Sequence, residues 1–327
     1  VDRVYFFNPF SLEILRKAMA RLLESYYENP REIQLFFYYP SDAYISYLMT
    51  VPELEFLDLS NTGITRLPSS LLDPPWLETA ILSGNRVTEL PAELFDLPAS
   101  ASNGIDLGDN PLDAATRERI KDYFRRTGED LGVLAEPSDI ARVQTLYPAL
   151  SDKQASNFIY HLEGTLADGR IELARREAEL EQLLGDLAAW ENDIPDHPVT
   201  GLPLPPDQRL MQEQIRTALR EALLTCWRKT PVEGADASDH QFAFRLPIMG
   251  ELPTLTADFG HVSDLYLVST SDHSPRIGRF LEAFTHLESV DIQGYDLPSI
   301  PEAVFRMKRL TTLSLPTCNL TLSPQDV

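Results

Sequence analysis

The chain has 327 residues, 43% hydrophobic and 24% charged, an ordinary globular balance with room for roughly two domains of about 150 residues. Its 50 acidic against 28 basic side chains leave a net charge of −22, which repels phosphate backbones and argues against nucleic acid; it reads first as a solubilising surface, with a basic protein partner as the sharper alternative. The two cysteines, Cys226 and Cys318, support neither a disulfide framework nor a cysteine zinc site, and no apolar run approaches the ~20 residues of a membrane span.

The chain starts at Val1 without a signal-peptide pattern and stops at Val327 just after a Leu-rich strand pattern. Both ends read as cuts from something longer. Val4-Tyr5-Phe6-Phe7 reads as a buried strand and Asn8-Pro9-Phe10 as a turn. Ser11 to Tyr27 follows as a helix burying Leu12, Leu15, Ala18, Leu22 and Leu23, and Ile33 to Tyr39 as a strand ended by Pro40. Residues 1–50 are therefore predicted to form a βαβ-like unit with parallel strands.

Residues 51–112 read as a first repeat block. Leu54, Leu57, Leu59 and Asn61-Thr62 fit L-x-x-L-x-L-x-x-N and continue as Gly63-Ile64-Thr65-Arg66-Leu67-Pro68. The next copy starts at Leu77, 23 residues on, with Ala80, Leu82 and Asn85, and ends at Leu90-Pro91. A degenerate third copy places Ile105, Leu107 and Asn110 in the same slots, followed by Pro111-Leu112.

Residues 113–250 read as a helical insert. Asp113 is the expected N-cap of a helix that stops at Gly128, and Ser151 with Gln154 forms a capping-box pattern. From about Ile171 to Trp190, Leu173, Leu180, Leu184 and Leu187 share one helical face. After a proline-rich break, Met211, Ile215, Ala218, Ala222 and Cys226 form a stripe on a helix from about Asp207 to Arg228. The pair is expected to pack as a helical hairpin.

Residues 251–327 read as a second repeat block. Val262, Leu265 and Leu267 open it, and Leu287, Val290 and Ile292 repeat them 25 residues later. Leu310, Leu313, Leu315 and Cys318-Asn319-Leu320 follow after a further 23. The fold class is thus α/β: a leucine-rich repeat solenoid in two short blocks, with a helical insert and an N-terminal βαβ-like unit.

In such a repeat the leucines at positions 1, 4 and 6 point into the core, and position 9 hydrogen-bonds neighbouring backbone. One unit cannot bury its apolar edge alone, so units stack. The side chains between the leucines face outward on the concave side and form the expected partner-binding surface. They are Phe56, Asp58, Thr79, Ile81, Asp106, Tyr266, Asp291 and Ser314.

No catalytic constellation assembles. The six histidines are scattered without metal-ligand spacing, there is no P-loop and no G-x-S-x-G elbow, and no cofactor is implied. Asp258 and His261 lie close together but lack a nucleophile. Cys318 takes repeat position 9, a packing role, and Cys226 lies on an apolar helix stripe where a thiol is inert.

Phe6-Phe7-Asn8-Pro9-Phe10, with its helix and strand, resembles the C-terminal part of class I methyltransferases over about 50 residues, although the glycine-rich cofactor loop is missing. That resemblance implies a fragment of a methyltransferase fusion. From about residue 50 onward the chain resembles the leucine-rich repeat region of bacterial effectors of the novel E3 ubiquitin ligase type. The features carrying it are the short repeats, the Asn110-Pro111-Leu112-Asp113 exit into a charged helix, and the long insert ending in Cys226-Trp227-Arg228-Lys229. Gly250-Glu251-Leu252-Pro253 and Asp258-Phe259-Gly260-His261-Val262 then lead into the second block. The resemblance implies a secreted protein acting in the host cytoplasm, with repeats that select a host protein for ubiquitination. Its ligase domain would carry a C-x-D cysteine, and Cys226-Trp227-Arg228 and Cys318-Asn319-Leu320 both depart from that motif. A stand-alone repeat protein, binding a partner without enzymology in the bacterial cytoplasm, is the alternative expectation.

Overall fold

A computed structural model describes residues 2–7, 10–38, 40–48, 50–51, 54–67, 78–102, 104–229 and 240–320. Val1, Asn8, Pro9, Tyr39, Pro68, Leu77 and Val327, used in the sequence reading, lie outside the described residues. The protein is mixed α/β, and among the described residues every strand pair runs parallel. Two compact units, Val1–Ile171 and Glu172–Val327, divide the chain. The helices read as one insert over 113–250 are therefore shared between the two.

The first unit opens with β1 (Asp2–Phe7), α1 (Leu12–Glu28), β2 (Ile33–Tyr38) and α2 (Asp42–Leu48). β1 and β2 pair parallel, as expected, with Val4 opposite Leu35 and Phe6 opposite Phe37. Phe6 packs on Leu15, Met19, Tyr44 and Leu48, and Leu12, Ala18, Leu22 and Leu23 line the margin of that core. Alternation along the strands turns Tyr5 and Phe36 to the opposite face, where their exposed rings stack at 4.8 Å.

Three very short strands follow: β3 (Phe56–Asp58), β4 (Thr79–Ile81) and β5 (Ile105–Asp106), in the order β3-β4-β5. Leu57, Leu59, Ala80, Leu82 and Leu107 are buried behind them. A 3-10 turn (Ala92–Asp96) and the short helix α3 (Ala99–Ser102) back this core with Leu94, Phe95 and Ser102. Next come α4 (Ala114–Thr127), α5 (Pro137–Leu146) and α6 (Asp152–His161). The Asp113 carboxylate accepts from the Thr116 amide at 2.7 Å, Gly128 ends α4 in the left-handed region, and Ser151 with Gln154 closes the capping box. All three signals stood in the sequence.

The link from α4 to α5 closes the end of this sheet. The Leu107 amide donates to the Leu131 carbonyl at 2.8 Å, a bond the next strand would otherwise supply. Gly132 makes the approach possible: its φ is +73°, and a Cβ there would lie 2.2 Å from Asp106 Oδ1.

The helix α7 (Leu166–Asn192) enters the second unit at Glu172 and there forms the expected antiparallel pair with α8 (Pro206–Trp227), with Trp190 near Arg216 and Glu179 near Trp227. The predicted stripe holds on α7, and the buried face of α8 is rotated from its own. On α7, Leu183 is buried with Leu173, Leu180 and Leu187, whereas Leu184 is half-buried. On α8 the buried side holds Gln212, Ile215, Arg216, Leu219, Leu223 and Cys226, while Met211 and Ala218 are exposed. The cause is polar. Gln212 bonds both the Pro247 carbonyl and the Met249 amide, and Arg216 donates to the carbonyls of Trp190 and Met249. An apolar stripe ignores two such residues.

The second sheet contains β6 (Gln241–Leu246), β7 (Asp264–Ser269), β8 (Ser289–Gln293) and β10 (Thr312–Ser314), ordered β10-β8-β7-β6. Behind it, β9 (Asp296–Leu297) pairs with β11 (Asn319–Leu320), and α9 (Glu302–Arg306) lies between β9 and β10 in sequence. β6 lies inside the segment read as helical insert, so the sheet starts ten residues before 251. Phe242, Phe259, Phe280 and Phe284 fill its core. α7 and α8 cover the approach to the sheet: Trp190 Nε1 donates to Glu251 O, and Glu179 accepts from the Asp258 amide. No helix of the described residues is long and apolar enough to cross a membrane.

Candidate partner-binding faces

The strand registers decide which side chains share a face. In the first sheet Phe56 stands opposite Thr79, and Asp58, Ile81 and Asp106 form one row across all three strands. In the second, Ala243, Tyr266, Asp291 and Ser314 form a row across four strands. Seven of the eight residues singled out in the sequence thus sit on the side of their strands opposite buried apolar side chains. Ser314 shares the row, but Leu313 beside it, expected in the core, is 39% exposed because no further strand or helix among the described residues covers β10. Phe56 is 58% exposed and Asp58 is exposed, while the other six are half-buried. They make two faces, five residues on one sheet and three on the other.

Sequence reasoning missed several neighbours on the second face. Gln241, Asp264, Ser289 and Thr312 form a further row, and Arg245, Val268 and Gln293 another. The signal was present in the polar-apolar alternation Gln241-Phe242-Ala243-Phe244-Arg245, set 23 residues before Leu265 and Leu267. Phenylalanine in the leucine slots concealed it.

Beneath the faces, position 9 of the repeats holds the turns together. Asn85 Oδ1 accepts from the amides of Thr62, Gly63 and Ile64, and its Nδ2 donates to the carbonyls of Leu59 and Leu82. Asn110 repeats the scheme, accepting from the Val87 amide and donating to Leu82 O and Leu107 O. Cys318 takes the same slot in the second unit and donates its thiol to Ile292 O at 3.2 Å. Each side chain reaches the position-6 carbonyl of the preceding copy. In the copy before Cys318 that slot holds Tyr295, fully buried.

The chemistry-bearing groups elsewhere are engaged in structure. Cys226 Sγ lies 3.9 Å from His261 Nε2, and that nitrogen sits 2.9 Å from the Cys226 carbonyl. Burial pushes the Cys226 thiol up to about 12 and the His261 imidazole below its ordinary value, which leaves neither ion of a thiolate-imidazolium pair favoured. Asp258, near His261 in sequence, accepts from the Gly260 amide. Burial also raises Cys318. Among the described residues no group of three or more His, Cys, Asp or Glu is placed to hold a metal ion. A cleft of about 290 Å3 between the end of α7 and the start of α8 is lined by Glu191, Arg209, Glu213 and Thr217, which pair with one another or their neighbours.

The chain matches no family profile, no curated protein and no solved structure.

Proposed function

We propose that the chain is a leucine-rich repeat scaffold that binds a protein partner through the outward faces of its two parallel sheets. The observation that carries this reading is the recurrence of one bonding scheme at a spacing of 23 to 25 residues. Buried side chains stand behind β3, β4, β6, β7 and β8, and Asn85, Asn110 and Cys318 tie each turn to the copy before it. Repeats joined this way present a continuous row of side chains, a surface suited to another polypeptide rather than to a small molecule.

Within this reading, the scaffold is the substrate-recognition region of a secreted bacterial ubiquitin ligase effector that works in the host cytoplasm. Its catalytic cysteine belongs to another part of the parent protein. What supports that division of labour is the state of the two cysteines here, both held protonated by burial and neither followed by the C-x-D aspartate. The same state of the cysteines favours the second reading, a repeat protein that binds without any enzymology.

Photo-crosslinking tests the binding face. A crosslinking amino acid placed at Tyr266 or Ser314 is expected to capture a partner that the same group at Glu181, on exposed helix surface, does not. Equal capture from all three positions overturns the face assignment. The coding sequence beyond residue 327 separates the two versions: a helical domain with a C-x-D cysteine favours the ligase, and a stop codon favours the binder.

A further inference from the structure

We infer that the outward face of the β6–β10 sheet grips a lysine- or arginine-bearing segment of its partner, the cationic side chain lying beside Tyr266 between Asp264 and Asp291. The inference rests on the reading that this face binds protein, and it adds the chemistry of what is bound.

Three features of the face carry it. Asp264 and Tyr266 are two residues apart on β7 and so point the same way, and Asp291 is the register partner of Tyr266 on β8, about 5 Å away between Cβ atoms. The two carboxylates therefore flank one aromatic ring. Each takes only neutral donors: Asp264 from the Ser263 hydroxyl at 2.6 Å, Asp291 from the Gln293 amide at 3.0 and 3.2 Å. Among the described residues neither makes an ion pair, although both are half-buried and so partly shielded from the water that would screen them.

Ser289, Thr312, Ser314 and Gln241 surround the pair with neutral hydrogen-bonding groups, and the exposed Arg245 stands one row further along, beside Val268. An aromatic face beside two carboxylates suits an alkylammonium or guanidinium, whose stem packs on the ring while the charge meets the acids. The first sheet also sets two aspartates on its outward face, around an aliphatic rather than an aromatic side chain. Asp58 and Asp106 flank Ile81 in one row, and among the described residues they make no ion pair with Lys or Arg. A segment crossing either sheet meets one outward row element every ~4.8 Å, the spacing between strands. With 22 surplus negative charges the whole chain attracts such a segment from a distance, and the aspartates fix where it settles.

A fluorescein-labelled decapeptide of alternating lysine and serine, followed by anisotropy with the full chain, tests this. A glutamate-serine decapeptide is the charge-reversed control. The lysine peptide is expected to bind saturably and the glutamate peptide not at all. Replacing both acids, Asp264→Asn with Asp291→Asn, should weaken the lysine peptide about tenfold, and Tyr266→Leu about threefold. The exposed pair Glu181→Gln with Asp196→Asn removes the same charge away from the face and should leave binding within twofold. Circular dichroism establishes that each variant is folded. Equal loss in both double variants, or no binding by the parent chain, overturns the inference. If Tyr266 still crosslinks a partner while the peptide fails, the binding face stands and only its preference for cations falls.

Discussion

The two sheets solve one problem with different materials. In the first, turns are tied by asparagine: the single Asn85 side chain accepts from three amides and donates to two position-6 carbonyls. In the second, position 9 passes to Tyr295 and Cys318, whose side chains give far fewer bonds, and the burial of Phe242, Phe259, Phe280 and Phe284 compensates. A repeat backbone therefore does not require its polar ladder. It requires that the turn be filled, by hydrogen bonds in one block and by aromatic volume in the other.

That contrast breaks in a definite order. Asn85→Leu should have the largest effect, a loss of about 5 kcal/mol, because several buried amides and carbonyls lose their partners at once. Hydrogen exchange should show the loss over residues 54–67 and 78–112 while the second unit stays protected. Phe284→Ala is the counterpart, expected to cost about 4 kcal/mol by leaving a cavity beside Phe259 and Phe280. Its exchange signature should fall on β7 and β8 and spare the first sheet. If either variant loosens both units equally, the two blocks are not independently stabilised.

Two smaller effects sharpen the comparison. Burial favours the neutral Cys226 thiol, so its contribution is fully present below the ordinary thiol value of 9.0 and is lost as pH rises toward about 12. Second-unit stability measured in urea should fall by about 2 kcal/mol more over that window in the parent chain than in Cys226→Ala. Tyr295→Phe should raise stability by about 1 kcal/mol. It removes a hydroxyl that is fully buried and has no hydrogen-bond partner among the described residues. A net loss on that change would mean the hydroxyl is satisfied in solution.

The sequence disclosed most where one local signal suffices. Asp113, Gly128 and the Ser151–Gln154 box fixed helix ends because each acts within one turn of its own helix. The parallel pairing of β1 with β2 followed from strand, helix, strand. The outward residues followed from alternation around the leucines, which is why all eight fall on sheet faces. What escaped depends on contacts distant in the chain. Gln212 and Arg216 are buried because carbonyls and an amide from 190 and 247–249 meet them, and nothing in α8 announces that. β6 escaped because phenylalanine stands where the pattern expects leucine. Asp264 escaped because its place beside Tyr266 and Asp291 is a matter of register across strands.

The seal at Leu131 and Gly132 bears on how such a chain can change length over time. The Leu107 amide is already spoken for, and Gly132 has no room for a side chain against Asp106. A duplicated copy inserted after β5 would have to displace that plug and re-form it one unit later. Duplication between β3 and β5 meets no such obstacle, since Leu59 and Leu82 already hand equivalent backbone bonds to the next strand. Gain and loss of copies in the first block should therefore be tolerated in its middle and not at its sealed end.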